Sequence, residues 1–168
     1  MGSFTPCGGD LVGTWTTTDA CMTLPTGAQG ADPYAVCTAK PKYELELEVR
    51  GTITFRADGT FQSAQTITAS SETVLSNDCI SKIGNGQLTC DLLDGKTDGS
   101  SCVIEQGPNT ETGETEGTFR MQGSQLTLLT ADAADGEDVT EYCVRGNVVT
   151  LQTKTQNGAV LRYAARRK

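Results

Sequence analysis

Residues 43–56 alternate almost without interruption between apolar and polar side chains. One parity carries Tyr43, Leu45, Leu47, Val49, Ile53 and Phe55, and the other carries Glu44, Glu46, Glu48, Arg50, Thr52, Thr54 and Arg56. Because successive side chains of a strand point to opposite faces, the pattern predicts a long strand with one apolar and one solvated face. Gly51 is its expected bending point, and such a length suits a strongly coiled sheet or barrel.

Length and charge restrict the classes of partner. The length of 168 residues predicts a single domain over residues 1–168. Within it, we interpret residues 1–6 as a linker or expression scar. The formal net charge of −8 argues against nucleic acid and anionic membranes, whose phosphates would be repelled. We find no transmembrane segment and interpret the basic end, residues 162–168, as a solvated strand end.

Seven cysteines predict an oxidising compartment, and therefore an exported protein. They are Cys7, Cys21, Cys37, Cys79, Cys90, Cys102 and Cys143. None forms a CxxC pair and the chain has no histidine, so disulfides are a better interpretation than structural zinc. The odd number leaves at least one thiol outside the intramolecular pairs. We expect an export signal to have preceded this sequence.

The disulfide connectivity stays open at this point. A Cys7–Cys21 pair is disfavoured because an extended stretch separates the two residues by far more than a disulfide spans. Cys21 with Cys37 would close the loop before the long strand, and Cys7 with Cys143 would tie the amino end to a late strand. Two of the three cysteines at positions 79, 90 and 102 would staple the segment that holds them.

Regularly spaced turn dipeptides divide the rest of the chain into strands. Asp58-Gly59, Gly123-Ser124, Asp135-Gly136, Gly146-Asn147 and Asn157-Gly158 supply the positive φ of hairpin turns. The predicted strands lie near 10–18, 43–56, 60–68, 102–106, 116–122, 125–131, 138–145, 147–154 and 159–166. This is an all-β, antiparallel up-and-down meander that closes by pairing its last strand with its first. Residues 22–42 and 70–101 are predicted to be long loops, with a short helical turn at 90–93.

Gly-Thr-Trp at residues 13–15 resembles the G-x-W signature of lipocalins and fatty-acid-binding proteins, and Thr-Glu-Tyr at 140–142 resembles the second lipocalin motif. With the meander and Cys7–Asp10, the pattern is similar to cysteine-rich lipocalin-like domains of Gram-negative envelope lipoproteins. The resemblance implies a disulfide-stapled barrel of about eight or nine strands. It also implies that Trp15 closes the barrel base, with Arg162 or Arg166 packed across the indole. The same resemblance implies that the exported protein is periplasmic, anchored to the outer membrane or secreted.

The residue types exclude most catalytic chemistry. Without histidine there is no Ser-His or Cys-His nucleophile. The glutamates of residues 44–48 lie on the outward parity, the acidic stretch 132–138 does not match a calcium loop, and residues 107–116 read as an acidic solvated loop. We expect no metal and no cofactor.

The inward face is therefore the candidate site for a small hydrophobic or amphipathic ligand. The predicted ligand-binding residues are Tyr43, Leu45, Leu47, Ile53, Phe55, Phe61, Phe119, Met121, Tyr142 and Tyr163. Tyrosine hydroxyls at 43, 142 or 163 would orient a polar end of the ligand. Ser63 and Gln65 share the parity of Phe61 and predict a partly polar interior.

Two other functions stay open. A ligand-free module would bind a protein partner through its loops at 22–42 and 70–101. A barrel cyclase or isomerase would need an inward carboxylate whose pKa is raised by burial, and the sequence offers no clear one.

Overall fold

The computed structural model describes residues 3–23, 34–130, 138–155 and 158–168. Its strands are β1 (Gly13–Thr23), β2 (Lys42–Phe55), β3 (Thr60–Ser76), β4 (Lys96–Asp98), β5 (Ser101–Gln122), β6 (Gln125–Thr130), β7 (Asp138–Arg145), β8 (Val148–Lys154) and β9 (Val160–Arg167). A helix, α1 (Asn77–Ile83), and a 3₁₀ turn at Asp91–Leu93 lie between β3 and β4. In the described ranges, no helix is long and apolar enough to cross a membrane.

The strands form one antiparallel sheet in the order β3-β2-β1-β9-β8-β7-β6-β5-β4. An additional pairing of β3 with β5 makes the hydrogen bonding ring-like. The predicted pairing of the last strand with the first is confirmed, since β1 pairs with β9 from Trp15–Arg167 to Thr23–Val160. A register shift between Thr17 and Asp19 interrupts this pairing.

Several boundaries differ from the sequence prediction. Residues 70–101 are not one long loop, because β3 continues to Ser76 and is followed by α1, the 3₁₀ turn and β4. The predicted acidic loop at 107–116 is part of the continuous strand β5, although its side chains are exposed as expected. Of the predicted loop at 22–42, residues 24–33 lie outside the described residues.

The chain divides into two compact units. The first comprises Met1–Pro25, Leu47–Thr68 and Thr110–Lys168. Its core is a cluster of buried side chains in which alternate residues of the strands meet: Leu11, Trp15, Ile53, Phe55, Phe61, Phe119, Leu126, Tyr142, Val149, Leu151 and Ala165. This alternation is the two-residue period that the sequence predicts.

The second unit comprises Thr26–Glu46 and Ala69–Asn109. Its core is small and consists of Leu75, Cys79, Ile80, Cys90 and Cys102, with partly buried apolar neighbours that include Tyr34 and Leu88. Helix α1 begins at Asn77, after Ser76, whose side chain accepts a hydrogen bond from the Cys79 N–H. This is the usual N-cap arrangement.

Three disulfides join six of the seven cysteines. Cys7–Cys143 and Cys90–Cys102 agree with the predicted pairings. The proposed Cys21–Cys37 pair is wrong, because Cys37 is bonded to Cys79 and Cys21 is a free thiol. The sequence did not indicate that Cys37 and helix α1 belong to the same small core.

Candidate functional site

Five of the ten predicted ligand-binding residues pack together in the core of the first unit. They are Ile53, Phe55, Phe61, Phe119 and Tyr142. The ring centroid of Phe55 lies 6.3 Å from that of Phe61 and 5.0 Å from that of Phe119, the latter edge to face. These aromatic contacts fill this part of the interior with side chains.

The other five predicted residues have different surroundings. Tyr43 and Met121 are 49% and 44% exposed and lie outside the core cluster. Leu45, Leu47 and Tyr163 are half-buried, and Tyr163 packs against the cluster. Tyr43 and Leu45 belong to the second unit, whereas the other eight residues belong to the first.

The hydroxyl of Tyr142 serves the fold. It lies 3.1 Å from the Gly9 carbonyl oxygen and 3.3 Å from that of Gly123, and its single proton is donated to one of them or shared between the two. Burial raises the pKa of Tyr142, and the nearby charge of Asp10 adds to the shift. The hydroxyl thus fixes the segment that precedes β1, rather than pointing toward an open cavity.

Trp15 is fully buried, and its indole N–H donates to the Leu11 carbonyl oxygen at 2.8 Å. The cation above the indole is Arg167, whose guanidinium carbon lies 4.6 Å from the ring centroid. The two predicted candidates do not occupy this position, since Arg162 lies over Phe4 and Arg166 is exposed. The alternation of side chains along β9 could have identified Arg167. It lies on the same face of the strand as the inward Tyr163, whereas Arg162 and Arg166 lie on the opposite face.

An open space in the first unit lies where β1 and β2 separate. Their pairing covers Gly13–Phe55 to Thr16–Thr52, after which β1 continues along β9. A cleft of about 550 Å³, which we call the β1–β2 cleft, follows this point and is lined by residues 16–20 and 47–51. Leu47 and Val49 give it apolar surface from the inward parity of β2.

Polar groups lie beside this cleft. Thr17 is buried, and its hydroxyl accepts a hydrogen bond from the Gln65 amide at 3.3 Å. Elsewhere in the first unit, outside the lining of the cleft, the hydroxyls of Thr140 and Thr153 are 2.7 Å apart on paired inward positions of β7 and β8. These groups agree with the partly polar interior that the parity of Gln65 predicts. Thr17 shares the parity of the buried Trp15 on β1, and this is the signal that could have identified it.

Tyr163 lies on β9 opposite Ala20 and Leu151. Burial raises its pKa to about 12. The phenol is neutral at physiological pH, as an ordinary tyrosine is, and burial extends this neutral range to more alkaline pH.

The carboxyl groups whose pKa is shifted stabilise local structure. Hydrogen bonds from the hydroxyl and N–H of Thr60 lower the pKa of Asp58 in the turn between β2 and β3. A hydrogen bond from Lys82 lowers the pKa of Asp78 on α1. Both groups are exposed, and a lowered pKa suits an ionised partner rather than a general acid.

The glutamates at 44, 46 and 48 are exposed, as predicted. The acidic stretch 132–138 lies outside the residues whose side chains are described. Elsewhere in the described chain, no three potential ligands among cysteine, aspartate and glutamate are grouped to hold a metal ion. No protein-family model matches this chain, and a comparison with curated proteins gives no match.

Proposed function

We propose that this protein is an extracytoplasmic, lipocalin-like binding protein that holds a small amphipathic molecule in the β1–β2 cleft. The observation that carries the proposal is the separation of β1 from β2 beyond Thr16–Thr52, which opens the cleft beside inward-facing positions. Its volume of about 550 Å³ falls in the range of small-molecule sites.

The composition of the cleft favours an amphipathic ligand. Leu47 and Val49 offer apolar contact, while the cleft is also lined by the charged residues Asp19, Glu48 and Arg50 and by Thr17, whose hydroxyl accepts a hydrogen bond from Gln65. A ligand with an apolar body and one polar group would bury its apolar surface against Leu47 and Val49. Its polar group would exchange hydrogen bonds with Thr17 and Gln65. A purely apolar ligand would offer Thr17 and Gln65 no hydrogen bond beyond the one that they form with each other.

The lipocalin-like description has two supports. The hydrogen bonding of the sheet is ring-like, as in a closed meander barrel. The Gly-Thr-Trp strand has a late arginine over its indole, which is the arrangement that the resemblance implies. The three disulfides are compatible with an extracytoplasmic location and support the proposed export.

A fluorescence titration with phenylnaphthylamine, a neutral apolar probe with one N–H group, tests the proposal. We expect saturable binding to the wild type and at least about tenfold weaker binding to Val49→Trp, because the indole would occupy the cleft. Val36→Trp is the matched control, since Val36 is exposed on the second unit. Equal affinity of all three proteins, or no binding to any, would contradict the proposal.

A second candidate function is that of an interaction module acting through the second unit. That unit has its own core and two disulfides, yet it exposes Leu92 and Val36. Exposed apolar side chains on a rigid frame are typical of protein-binding surfaces. Binding of a partner that Leu92→Ser weakens and Val49→Trp does not would favour this function.

A further inference from the structure

A second cavity lies on the outer face of β7–β9 in the first unit. Its volume is about 400 Å³, and its lining includes Phe4, Cys143, Arg145, Val148, Thr150 and Arg162. The strand residues among them alternate with the core residues Tyr142, Val149 and Leu151, so they point away from the core. We call this cavity the outer groove.

The segment before β1 forms one wall of the outer groove through Ser3, Phe4 and Thr5. The Cys7–Cys143 disulfide joins it covalently to β7. The N–H groups of Cys7 and Gly8 each lie 3.1 Å from the Tyr142 carbonyl oxygen, and the Val144 N–H donates to the Gly8 carbonyl oxygen at 2.8 Å. These contacts anchor the segment to β7 at Cys7 and Gly8, and Phe4 of the groove lining contacts Arg162 on β9.

Cationic side chains line the groove. Arg162 is held by Gln152, whose side-chain oxygen accepts from its guanidinium, and its guanidinium carbon lies 5.4 Å from the ring centroid of Phe4. Arg145 is exposed and has no ion-pair partner within the described chain. Two guanidinium groups thus share a concave surface of a protein whose formal net charge is −8.

Other charges face the same side of the sheet. Arg166 lies opposite Val148, and Lys154 lies opposite Val160. Two carboxylates also occupy this face: Asp19 lies opposite Ala164, and Glu141 accepts a hydrogen bond from Gln152 at 3.3 Å. On the outer positions of β1 and β7–β9, four cations therefore stand against two anions, and this part of the surface attracts anions.

We propose that the outer groove binds a small organic anion with a planar apolar part. Its carboxylate, sulfonate or phosphate group would bind Arg145, because guanidinium groups pair with such anions in a planar, bidentate geometry. The charge of Arg162, whose Nε and Nη2 donate to Gln152, would add to the attraction. Its apolar part would rest on Phe4 and Val148. This site is separate from the β1–β2 cleft, and it does not depend on the function proposed for the cleft.

The test is a fluorescence titration with anilinonaphthalene sulfonate, a planar aromatic anion, against the wild type and Arg145→Gln. We expect the substitution to weaken binding by at least about fivefold, since it removes one charged donor. Added salt is also expected to weaken binding. Arg120→Gln is the matched control, because Arg120 is exposed on β5 and does not line the groove. Urea unfolding of each variant verifies that the fold is unchanged.

Amide chemical shifts locate the bound anion. Shifts concentrated at 143–150 and 162–164, together with loss of affinity in Arg145→Gln alone, support the groove. An affinity that is the same in Arg145→Gln and the wild type overturns the proposal, as does an equal loss in Arg120→Gln. If Val49→Trp loses binding of the anion and Arg145→Gln retains it, the anion binds in the β1–β2 cleft. That result also overturns the proposal.

Discussion

The guanidinium of Arg167 covers the indole of Trp15, with 4.6 Å between the guanidinium carbon and the ring centroid. The two residues are also direct partners in the pairing of β1 with β9. Arg167 donates to the Asp10 carbonyl oxygen at 2.7 Å, which connects the segment before β1 to the last strand. One side chain therefore joins both ends of the first unit.

Replacement of Arg167 is expected to destabilise the protein. Arg167→Ala would lose the cation–π contact and the hydrogen bond to Asp10, and we expect a loss of about 1–2 kcal/mol in the free energy of unfolding. Urea denaturation followed by Trp15 fluorescence gives this value. Arg166→Ala is the control, because Arg166 is exposed on the opposite face of β9. An equal effect of the two substitutions would refute the role of Arg167.

Gly51 is expected to tolerate no side chain. Its φ is +138°, and a Cβ atom there would collide with the Ala64 carbonyl oxygen on β3. We predict that Gly51→Ala lowers the free energy of unfolding by about 2–3 kcal/mol, from strained backbone and displacement of a strand. Gly113→Ala is the control, since no atom would approach its Cβ within 4 Å and its φ is not positive. Similar thermal midpoints for both variants would contradict this prediction.

Alkaline pH is expected to destabilise the fold through Tyr163. Its pKa rises from 10.0 to about 12 on burial, so the folded state retains the phenol proton where the unfolded state has lost it. Stability from this group is complete below pH 10 and decreases as the pH rises toward 12, by up to about 2 kcal/mol. Tyr163→Phe should flatten this part of the pH profile of unfolding. A profile as steep as that of the wild type would show that Tyr163 does not titrate in this way.

The free thiol gives a prediction about connectivity. Alkylation of the oxidised, unfolded protein should add one group per chain, and peptide mapping should place it on Cys21. Reduction before alkylation should label all seven cysteines. Any label on Cys37 or Cys79 without reduction would contradict the disulfide between them.

Sequence alternation predicted the fold best where one face of a strand is buried. Ile53 and Phe55 enter the core as the pattern of residues 43–56 requires, whereas Tyr43 on the same parity is exposed. Alternation gave no signal for the middle of β5, because residues 105–116 are exposed on both faces. Helix α1 has only seven residues, which is too short for a helical period to be recognised.

The candidate site was only partly predictable for a geometric reason. The β1–β2 cleft exists because β1 leaves β2 after Thr16 and follows β9, and the register shift between Thr17 and Asp19 accompanies this change. Such a choice of partner depends on the whole sheet and not on local residue types. The position of Arg167 was predictable, by contrast, since the parity of β9 already distinguishes it from Arg162 and Arg166.

Native mass spectrometry after incubation with a lipid extract tests the central claim, that the β1–β2 cleft holds a small amphipathic molecule, most directly. We predict that the wild type and Val36→Trp carry a noncovalent mass excess that denaturation removes, and that Val49→Trp carries none. A bare wild-type protein, or the same excess on Val49→Trp, would contradict the claim.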